Sequence, residues 1–271
     1  MRHKALAATI AALALVVLAA SPASAITDGA PDGEGHPYVG LMVAQDDEGT
    51  PMWRCSGTLI SPTVFVTAGH CTFDAEHVEI WFQSNLEPTP ADFKYPYTGE
   101  VGGTPYTHPQ YDDAAFYLYD LGVVVLDEPV QMATYGALPG LDQLDDFAKN
   151  TKKDATFTAV GYGLQKAFPD ATAYKNSALK TRMVSTPKLI SINTGYTGDG
   201  SLILSNNANT GGTCSGDSGG PNFIGSSNVI AGVTSFGKNS TCAGTGGVYR
   251  IDRADDLAFI QLALNGELGD Q

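Results

Sequence analysis

The chain has 271 residues, and its 15 Lys and Arg against 29 Asp and Glu give a formal net charge of −14. This acidity argues against a nucleic-acid partner, because binding nucleic acid depends on neutralising phosphates with Lys and Arg. The length fits one domain, or two small domains that share an interface.

The first 25 residues have the order of a secretory signal peptide. A basic start, MRHK, precedes an apolar run at residues 5–20, and small residues at 21–25 end in Ala25. The apolar run is short for a membrane span, and no stop-transfer pattern follows it. We therefore expect residues 1–25 to be removed, leaving a secreted, extracellular chain of residues 26–271 that makes no contact with a membrane.

Short runs of strand-forming residues, bounded by Gly, Pro, Asn and Asp, follow one another along the mature chain. In chain order these predicted strands are residues 38–44, 58–60, 64–67, 78–82, 121–126, 155–160, 202–204, 229–235 and 247–251. Such spacing predicts an all-β barrel or sandwich. Only residues 252–265 have a helical period, with Asp252 as the predicted cap and Leu257, Ile260 and Leu264 on one face.

Three segments between these elements have the composition of surface loops. Residues 85–109 are rich in Pro, and residues 165–176 and 193–213 are rich in Gly and polar side chains. Residues 136–154 carry a run of acids and few strand formers. We expect this last segment to connect an N-terminal half to a C-terminal half.

Four cysteines, Cys55, Cys71, Cys214 and Cys242, allow three disulfide pairings. An even number in an exported protein favours disulfides, and the absence of a CxxC pair disfavours zinc. Pairing sequence neighbours would close two short loops and stabilise the fold by roughly 3 kcal/mol each. We prefer this pairing, although the sequence alone does not select it.

The most informative motif is GDSGGP at residues 216–221. Glycines around a serine let the backbone approach a carbonyl group and direct its N–H groups at it. An ordinary Gly-rich turn has the same composition, and the motif also matches the nucleophile elbow of α/β-hydrolases. Those enzymes place their histidine after the serine, and no histidine follows Ser218.

A histidine and an acid in the first half complete a candidate catalytic set. The segment TAGHC places His70 directly after a predicted strand and next to Cys71, and Asp120 precedes an apolar strand, where its carboxylate would enter the interior. Asp112 and Asp113 are rival acids in a polar loop. The remaining mature histidines, His36, His77 and His108, are predicted to be loop residues without a catalytic role.

With these motifs in the order His, Asp, Ser, the chain resembles the trypsin/chymotrypsin family of serine proteases over nearly all of its mature length. The resemblance implies two antiparallel β-barrels, at about 26–135 and about 150–251, with the active site between them and a C-terminal helix at about 252–265. It also supports the disulfides Cys55–Cys71 and Cys214–Cys242.

The resemblance assigns a role to each candidate residue. Ser218 would attack the carbonyl carbon of a peptide bond, His70 would carry the proton, and Asp120 would hold the imidazole in the correct tautomer. The backbone N–H groups of Gly216 and Ser218 would form the oxyanion hole. We therefore expect a serine endopeptidase that acts on protein or peptide substrates.

The resemblance also predicts how the enzyme matures. In this family a free N-terminal Ile inserts beside the carboxylate that precedes the serine, and Ile26 and Asp217 occupy these positions. Signal cleavage would expose Ile26 directly, so we expect no activation peptide. Thr27 and Asp28 depart from the family's usual second and third residues.

Specificity is predicted from the pocket for the P1 residue, the side chain on the acyl side of the cleaved bond. Gly212, rather than an acid, occupies the family position at the base of this pocket, and Phe236 replaces the commoner Trp in its wall. The expected substrate contacts are Gly212, Thr213, Ser215, Ser235, Phe236, Gly237 and Gly247. The paired glycines 246 and 247 predict room for an aromatic or large aliphatic P1 residue.

Two alternatives remain: a protease-like binding protein without activity, and an esterase that uses the same triad. We expect no cofactor and no metal, because the acidic clusters at 46–48 and 142–146 lack the spacing of an EF-hand. We also expect a monomer.

Overall fold

The computed structural model describes residues 26–86, 98–148, 155–166, 179–195 and 197–269. The predicted signal peptide and most of the predicted loop at 165–176 lie outside these residues. In the part of the chain that is described, no helix combines the length and apolar character needed to cross a membrane.

Antiparallel strands make up most of the described chain. The first half contains β1 (Ala30–Pro31), β2 (Val39–Gln45), β3 (Pro51–Leu59), β4 (Val64–Thr67), α1 (Gly69–Thr72), β5 (His77–Trp81), β6 (Val101–Thr107), a 3-10 turn (Asp113–Ala115) and β7 (Gly122–Leu126). The second half contains α2 (Asp145–Ala148), β8 (Phe157–Gly161), β9 (Met183–Ser185), β10 (Leu189–Ile192), β11 (Ser201–Asn206), β12 (Pro221–Ile224), β13 (Ile230–Gly237), β14 (Gly244–Arg250) and α3 (Ala254–Asn265).

Six strands of the first half close into a barrel in the order β2-β3-β4-β7-β6-β5. Its interior is filled by apolar side chains, and the fully buried ring of Phe65 occupies space that two glycines leave free. A Cβ added at Gly57 would lie 2.2 Å from this ring, and one at Gly40 would lie 3.1 Å from it. Glycine at these positions therefore allows the aromatic side chain to fill the barrel at the density typical of protein interiors.

The second half is an antiparallel sheet of eight strands in the order β1-β9-β8-β12-β13-β14-β11-β10. The sheet curls, and an isolated bridge between Thr156 and Lys188 brings the residue before β10 next to the start of β8. The all-β prediction with a C-terminal helix is confirmed, with the second half a curled sheet whose strand order does not close as the first one does.

Both ends of the described chain cross to the opposite half. The N-terminal strand β1 belongs to the second sheet, where Ala30 pairs with Val184 of β9. The C-terminal helix α3 packs against β4 and β7 of the first barrel. The two halves are therefore joined by each terminus as well as by the connecting segment.

Several strands differ from the sequence predictions. Strand β6 lies inside residues 85–109, which we predicted to be a surface loop, and it pairs with both β5 and β7. Its glycines are needed for close packing, because a Cβ at Gly103 would lie 2.6 Å from Val124. Strands β9, β10 and β12 were also missed, since runs of three or four residues give little periodicity.

The helix α3 exists as predicted, but its cap and its buried face differ. Arg253 occupies the N-cap position, whereas the buried Asp252 accepts hydrogen bonds from Leu144 and Arg250. The fully buried positions of the helix are Asp256, Phe259, Ile260 and Ala263, and Leu264 is exposed. The helix therefore packs with a face rotated from the one predicted.

Candidate active site

Both disulfides of the preferred pairing are present. Cys55–Cys71 joins β3 to α1, the single turn that carries His70, with Cα atoms 6.2 Å apart. Cys214–Cys242 joins the loop before Ser218 to the loop before β14, with Cα atoms 5.4 Å apart. Each disulfide thus fixes a segment that holds a predicted functional residue.

His70 and Asp120 form a closely coupled pair at the edge of the first barrel. The ring Nδ1 of His70 lies 3.0 Å from each carboxylate oxygen of Asp120, and the His70 backbone N–H donates to the same carboxylate at 2.9 Å. Asp120 is completely buried, and it follows Tyr119, whose backbone has a φ of 51°. This left-handed residue turns the chain just before β7.

Ser235 of β13 adds a third donor to this carboxylate. Its Oγ donates to Oδ2 of Asp120 at 2.5 Å, a contact from the second half of the molecule to the first. The sequence predicted Ser235 only as a wall of the substrate pocket. Three donor groups therefore converge on one buried carboxylate.

The charge of Asp120 acts on the imidazole in turn. Burial alone would lower the pKa of His70, but the nearby Asp120 carboxylate and its hydrogen bond outweigh this effect, with a smaller contribution from Asp113. The pKa of His70 is therefore raised above its ordinary value near 6.5. The imidazole sits where an imidazolium would be stabilised.

Ser218 lies in the second half, and Ser235, which donates to Asp120, links its pocket to the His70–Asp120 pair. The Ser218 carbonyl accepts a hydrogen bond from the Ser56 N–H at 2.8 Å, and the half-buried side chain shares one pocket with Ser235. Within the described residues, no hydrogen bond joins the Ser218 hydroxyl to His70. Such bonds are often long in a protein without substrate and tighten in the complex.

The backbone before Ser218 has an unusual conformation. Gly216 has a φ of 96°, a conformation that favours glycine, and its carbonyl is held by the Ser56 hydroxyl at 2.9 Å. Among the described residues, no protein acceptor is bonded to the N–H of Gly216 or of Ser218. Ser56 was not predicted, because nothing in its local sequence shows that it reaches this loop.

Asp217 is fully buried beneath this loop. Its two carboxylate oxygens accept from the N–H groups of Gly163 and Cys214 at 2.8 and 2.9 Å. A Cβ at Gly161 or Gly163 would lie 2.3 or 2.4 Å from the carboxylate, so only glycine fits there. Burial raises the pKa of Asp217 to about 7 despite these hydrogen bonds.

The N-terminal segment lies next to the same loop. The Ile26 side chain is fully buried with Ala159 and Met183, and Ala159 is two residues along β8 from Gly161, which contacts Asp217. The Thr27 carbonyl accepts from the Gly212 N–H at 3.1 Å. The predicted partners Ile26 and Asp217 therefore lie in one region of the fold.

Ser218 opens onto a pocket of about 250 Å³. Its lining residues are Thr213, Cys214, Ser215, Ser218, Thr234, Ser235, Phe236, Gly237, Asn239 and Cys242, none of which is charged. The Phe236 ring fills the space beside Gly247, where an added Cβ would lie 2.3 Å from it. At Gly246 an added Cβ would lie 3.1 Å from the Thr213 hydroxyl, which is also a tight contact, so neither of the two glycines predicted to leave room adjoins open space.

The mature histidines other than His70 contact side chains outside the candidate site. His108 follows β6 in a loop, as predicted, but it is buried there and stacks on Tyr119 at 5.3 Å. His77 begins β5, so the prediction of a loop residue is wrong for that position. His36 is hydrogen-bonded to Asp32 at 2.6 Å. The one group of potential metal ligands within the described residues is His70 with Cys55 and Cys71, and both sulfurs of this group are already used in a disulfide.

Comparisons with known proteins agree with this geometry. The chain is 28% identical to a trypsin of Saccharopolyspora erythraea, over 84% of this chain and 94% of that protein, and 29% identical to brachyurin of Leptuca pugilator, over 70% and 79%. Among solved structures, HL collagenase matches with a TM-score of 0.68 and 20% identity, over 89% of this chain and 99% of that one. Human heparin binding protein matches with a TM-score of 0.62 and 18% identity, over 86% and 93%. The Trypsin family profile matches residues 28–256, and the chain therefore belongs to the trypsin family of serine proteases.

Proposed function

We propose that the protein is a secreted serine endopeptidase that cleaves peptide bonds through Ser218, His70 and Asp120. The observation that carries this proposal is the His70–Asp120 pair, with Nδ1 3.0 Å from the carboxylate. Ser235, which lines one pocket with Ser218, donates to the same carboxylate. Family membership supports a serine peptidase, and the signal-like order of residues 1–25 supports export.

The chemistry proceeds by acyl transfer. The Ser218 Oγ forms a bond to the carbonyl carbon while its proton passes to Nε2 of His70, and the N–H groups of Gly216 and Ser218 bind the resulting oxyanion. The C–N bond then breaks as His70 delivers the proton to the leaving amine. Water repeats these steps on the acyl-enzyme, and Asp120 stabilises the imidazolium in each.

The direct test is hydrolysis of casein by the purified mature protein and by Ser218→Ala. In Ser-His-Asp enzymes, loss of the nucleophile lowers kcat by on the order of 10⁶-fold. An unchanged rate in Ser218→Ala would exclude this mechanism. Ser240→Ala, on the exposed loop before Cys242, is a matched control and should keep full activity.

We propose further that maturation consists of signal removal alone. The free α-amino group of Ile26 would then pair with Asp217, a buried carboxyl group whose pKa of about 7 reflects the cost of burying its charge. Protein with one extra residue ahead of Ile26 should lose about 10²–10³-fold in rate, the effect of one oxyanion-hole donor. Full activity of that protein would refute the insertion.

This pairing also sets the alkaline limit of activity. An unpaired α-amino group titrates near ~7.7–8.0, and an ion pair in the folded state raises that pKa. The stabilisation by the pair is complete below the unpaired value and is lost as pH rises through the raised one. Activity should therefore fall at alkaline pH. A rate of hydrolysis that stays unchanged up to about pH 11 would contradict the pairing.

For specificity we propose an aromatic or large aliphatic P1 residue. The uncharged lining of the pocket supports this, because burying an unpaired Lys or Arg there is costly. A panel of peptide substrates that differ only at P1 tests the proposal, and strong Arg or Lys preference would overturn it.

A binding protein without activity is the second candidate. One matched structure is named for binding heparin, but the marked acidity of this chain argues against an anionic polysaccharide as its ligand. An esterase would use the same triad. Measuring the rates of hydrolysis of an ester and of the matching amide would separate the two activities.

A further inference from the structure

The position at the base of the specificity pocket is not empty, although its residue is a glycine. A Cβ built on Gly212 would lie 2.2 Å from Cγ of Asn206, 2.5 Å from its Cβ and 2.5 Å from its Oδ1. Gly212 precedes Thr213, which lines the pocket with Ser218. The Asn206 side chain therefore occupies the volume that a side chain at position 212 would need.

Asn206 is fixed in this place by two hydrogen bonds. It ends β11, is 2% exposed, and its Nδ2 donates to the Thr213 carbonyl at 2.8 Å. Its Oδ1 accepts from the Thr27 hydroxyl at 2.8 Å. The orientation of the Asn206 amide follows from its partners. The carbonyl oxygen of Thr213 can only accept, so the amide nitrogen of Asn206 must face it.

The same side chain also lines a cavity of about 340 Å³ together with Thr27. Through its hydrogen bond it contacts Thr213, which lines the pocket of Ser218. Cys242 lines both cavities, and its disulfide partner Cys214 lines the pocket of Ser218. Asn206, Thr213 and this disulfide therefore connect the two cavities, and none of these side chains is charged.

We infer that Asn206 is the floor of the P1 pocket and limits it to neutral side chains that end short of this amide. The inference rests on the proposed function and adds the residue that sets the depth and charge of the pocket. It also ties specificity to maturation, because the bond from Thr27 holds the floor residue to the N-terminal segment.

The inference is tested by removing the side chain at position 206 and adding one at position 212. Gly212→Asp alone should fold less stably than the native chain, because its Cβ overlaps Asn206. Asn206→Gly combined with Gly212→Asp frees that space and places a carboxylate at the base. The double variant should raise the ratio of kcat/KM for P1 Arg over P1 Phe by at least about tenfold, the value of one hydrogen bond to a charged group.

The contrast between the single and double variants decides the outcome. If Gly212→Asp alone has native thermal stability and changes P1 preference as much as the double variant, Asn206 does not fill this space and the inference is wrong. If the double variant does not fold, Asn206→Gly alone serves, because joining the two cavities should favour Trp over Leu at P1. An unchanged Trp to Leu ratio would also overturn the inference.

A binding measurement keeps this test separate from hydrolysis. In a Ser218→Ala background, benzamidine should bind the double variant at least about tenfold more tightly than the parent, as measured by calorimetry. If no form hydrolyses any substrate but this difference is observed, the proposed function fails and the floor assignment stands. Equal benzamidine binding to both forms would overturn the floor assignment even if the enzyme is active.

Discussion

The two halves of the molecule hold their candidate catalytic residues by different means. The first barrel positions His70 and Asp120 at the edge of an apolar interior around Phe65. The second half positions Ser218 on a loop supported by buried polar groups, among them Asp217 and Asn206. Apolar packing tolerates small adjustments of shape, whereas each buried polar group must keep its particular partners. We therefore expect the second half to be the more sensitive to single polar substitutions.

The largest effect should come from the point where the halves meet. Asp120→Asn keeps the size of the side chain but favours the wrong tautomer of His70, so kcat should fall by about 10⁴-fold. Stopped assays on a peptide substrate, with circular dichroism to check folding, measure this change. A loss below tenfold would mean that Asp120 only supports the barrel.

A pair of substitutions compares the stability of the two halves. Phe65→Ala removes the central ring of the barrel and should lower the free energy of unfolding by about 3–5 kcal/mol. Asp252→Asn leaves the fully buried Arg250 without its closest carboxylate, at 2.7 Å, and should cost about 3–5 kcal/mol as well. Urea unfolding measures both.

The two positions should respond differently when each is replaced by leucine instead. Phe65→Leu should recover most of the loss in the barrel, because shape is the main requirement there. Asp252→Leu should recover none of the loss, because the buried Arg250 still lacks both hydrogen bonds to Asp252 and keeps its ion pair with the half-exposed Asp145. Recovery in both cases would remove the distinction between the halves.

A smaller effect is expected at Ser235, which joins the halves by its bond to Asp120. Ser235→Ala removes a hydrogen bond to a charged group, worth about 1.5–3 kcal/mol, and kcat should fall by on the order of 10–100-fold with little change in KM. Ser235→Thr keeps the hydroxyl and should retain most of the rate. Equal losses in both variants would indicate damage to the pocket wall instead.

The smallest predicted effect is a shift of the acidic limb of activity. His70 acts as a base only when neutral, and Asp120 raises its pKa above about 6.5. The rate should therefore decline as pH falls, with a midpoint above the ordinary histidine value. Ser235→Ala should move this midpoint, whereas the remote Phe65→Leu should leave it in place.

Much of the fold was predictable because its strands carry strong local signals. Strand β4 was predicted with its correct bounds, since four consecutive strand formers lie between turns. Strand β6 was missed because it contains glycines and Pro105, which are uncommon in strands. These residues pair with β7, and this tertiary contact has no local sequence signal. The cap of α3 was misassigned because Asp252 pairs with Arg250 rather than with the helix.

The candidate site could be predicted where its residues lie in short motifs. His70, Asp120 and Ser218 follow from their local sequences and their order along the chain. Ser56 and Asn206 gave no such signal, since each acts on a segment more than 100 residues away or on the far side of a turn. The filling of the space beside Gly247 by Phe236 also depends on packing that no local pattern records.

The crossing of the two chain ends has a practical consequence for handling the protein. Because β1 pairs with β9 and α3 packs on β4 and β7, a protease cut between Gly140 and Ala148 would yield two fragments that each carry part of the other's half. These fragments should stay together without denaturant and travel as one species through a sizing column. An affinity tag should accordingly be placed after the exposed end of α3, leaving the amino terminus of the mature chain unextended.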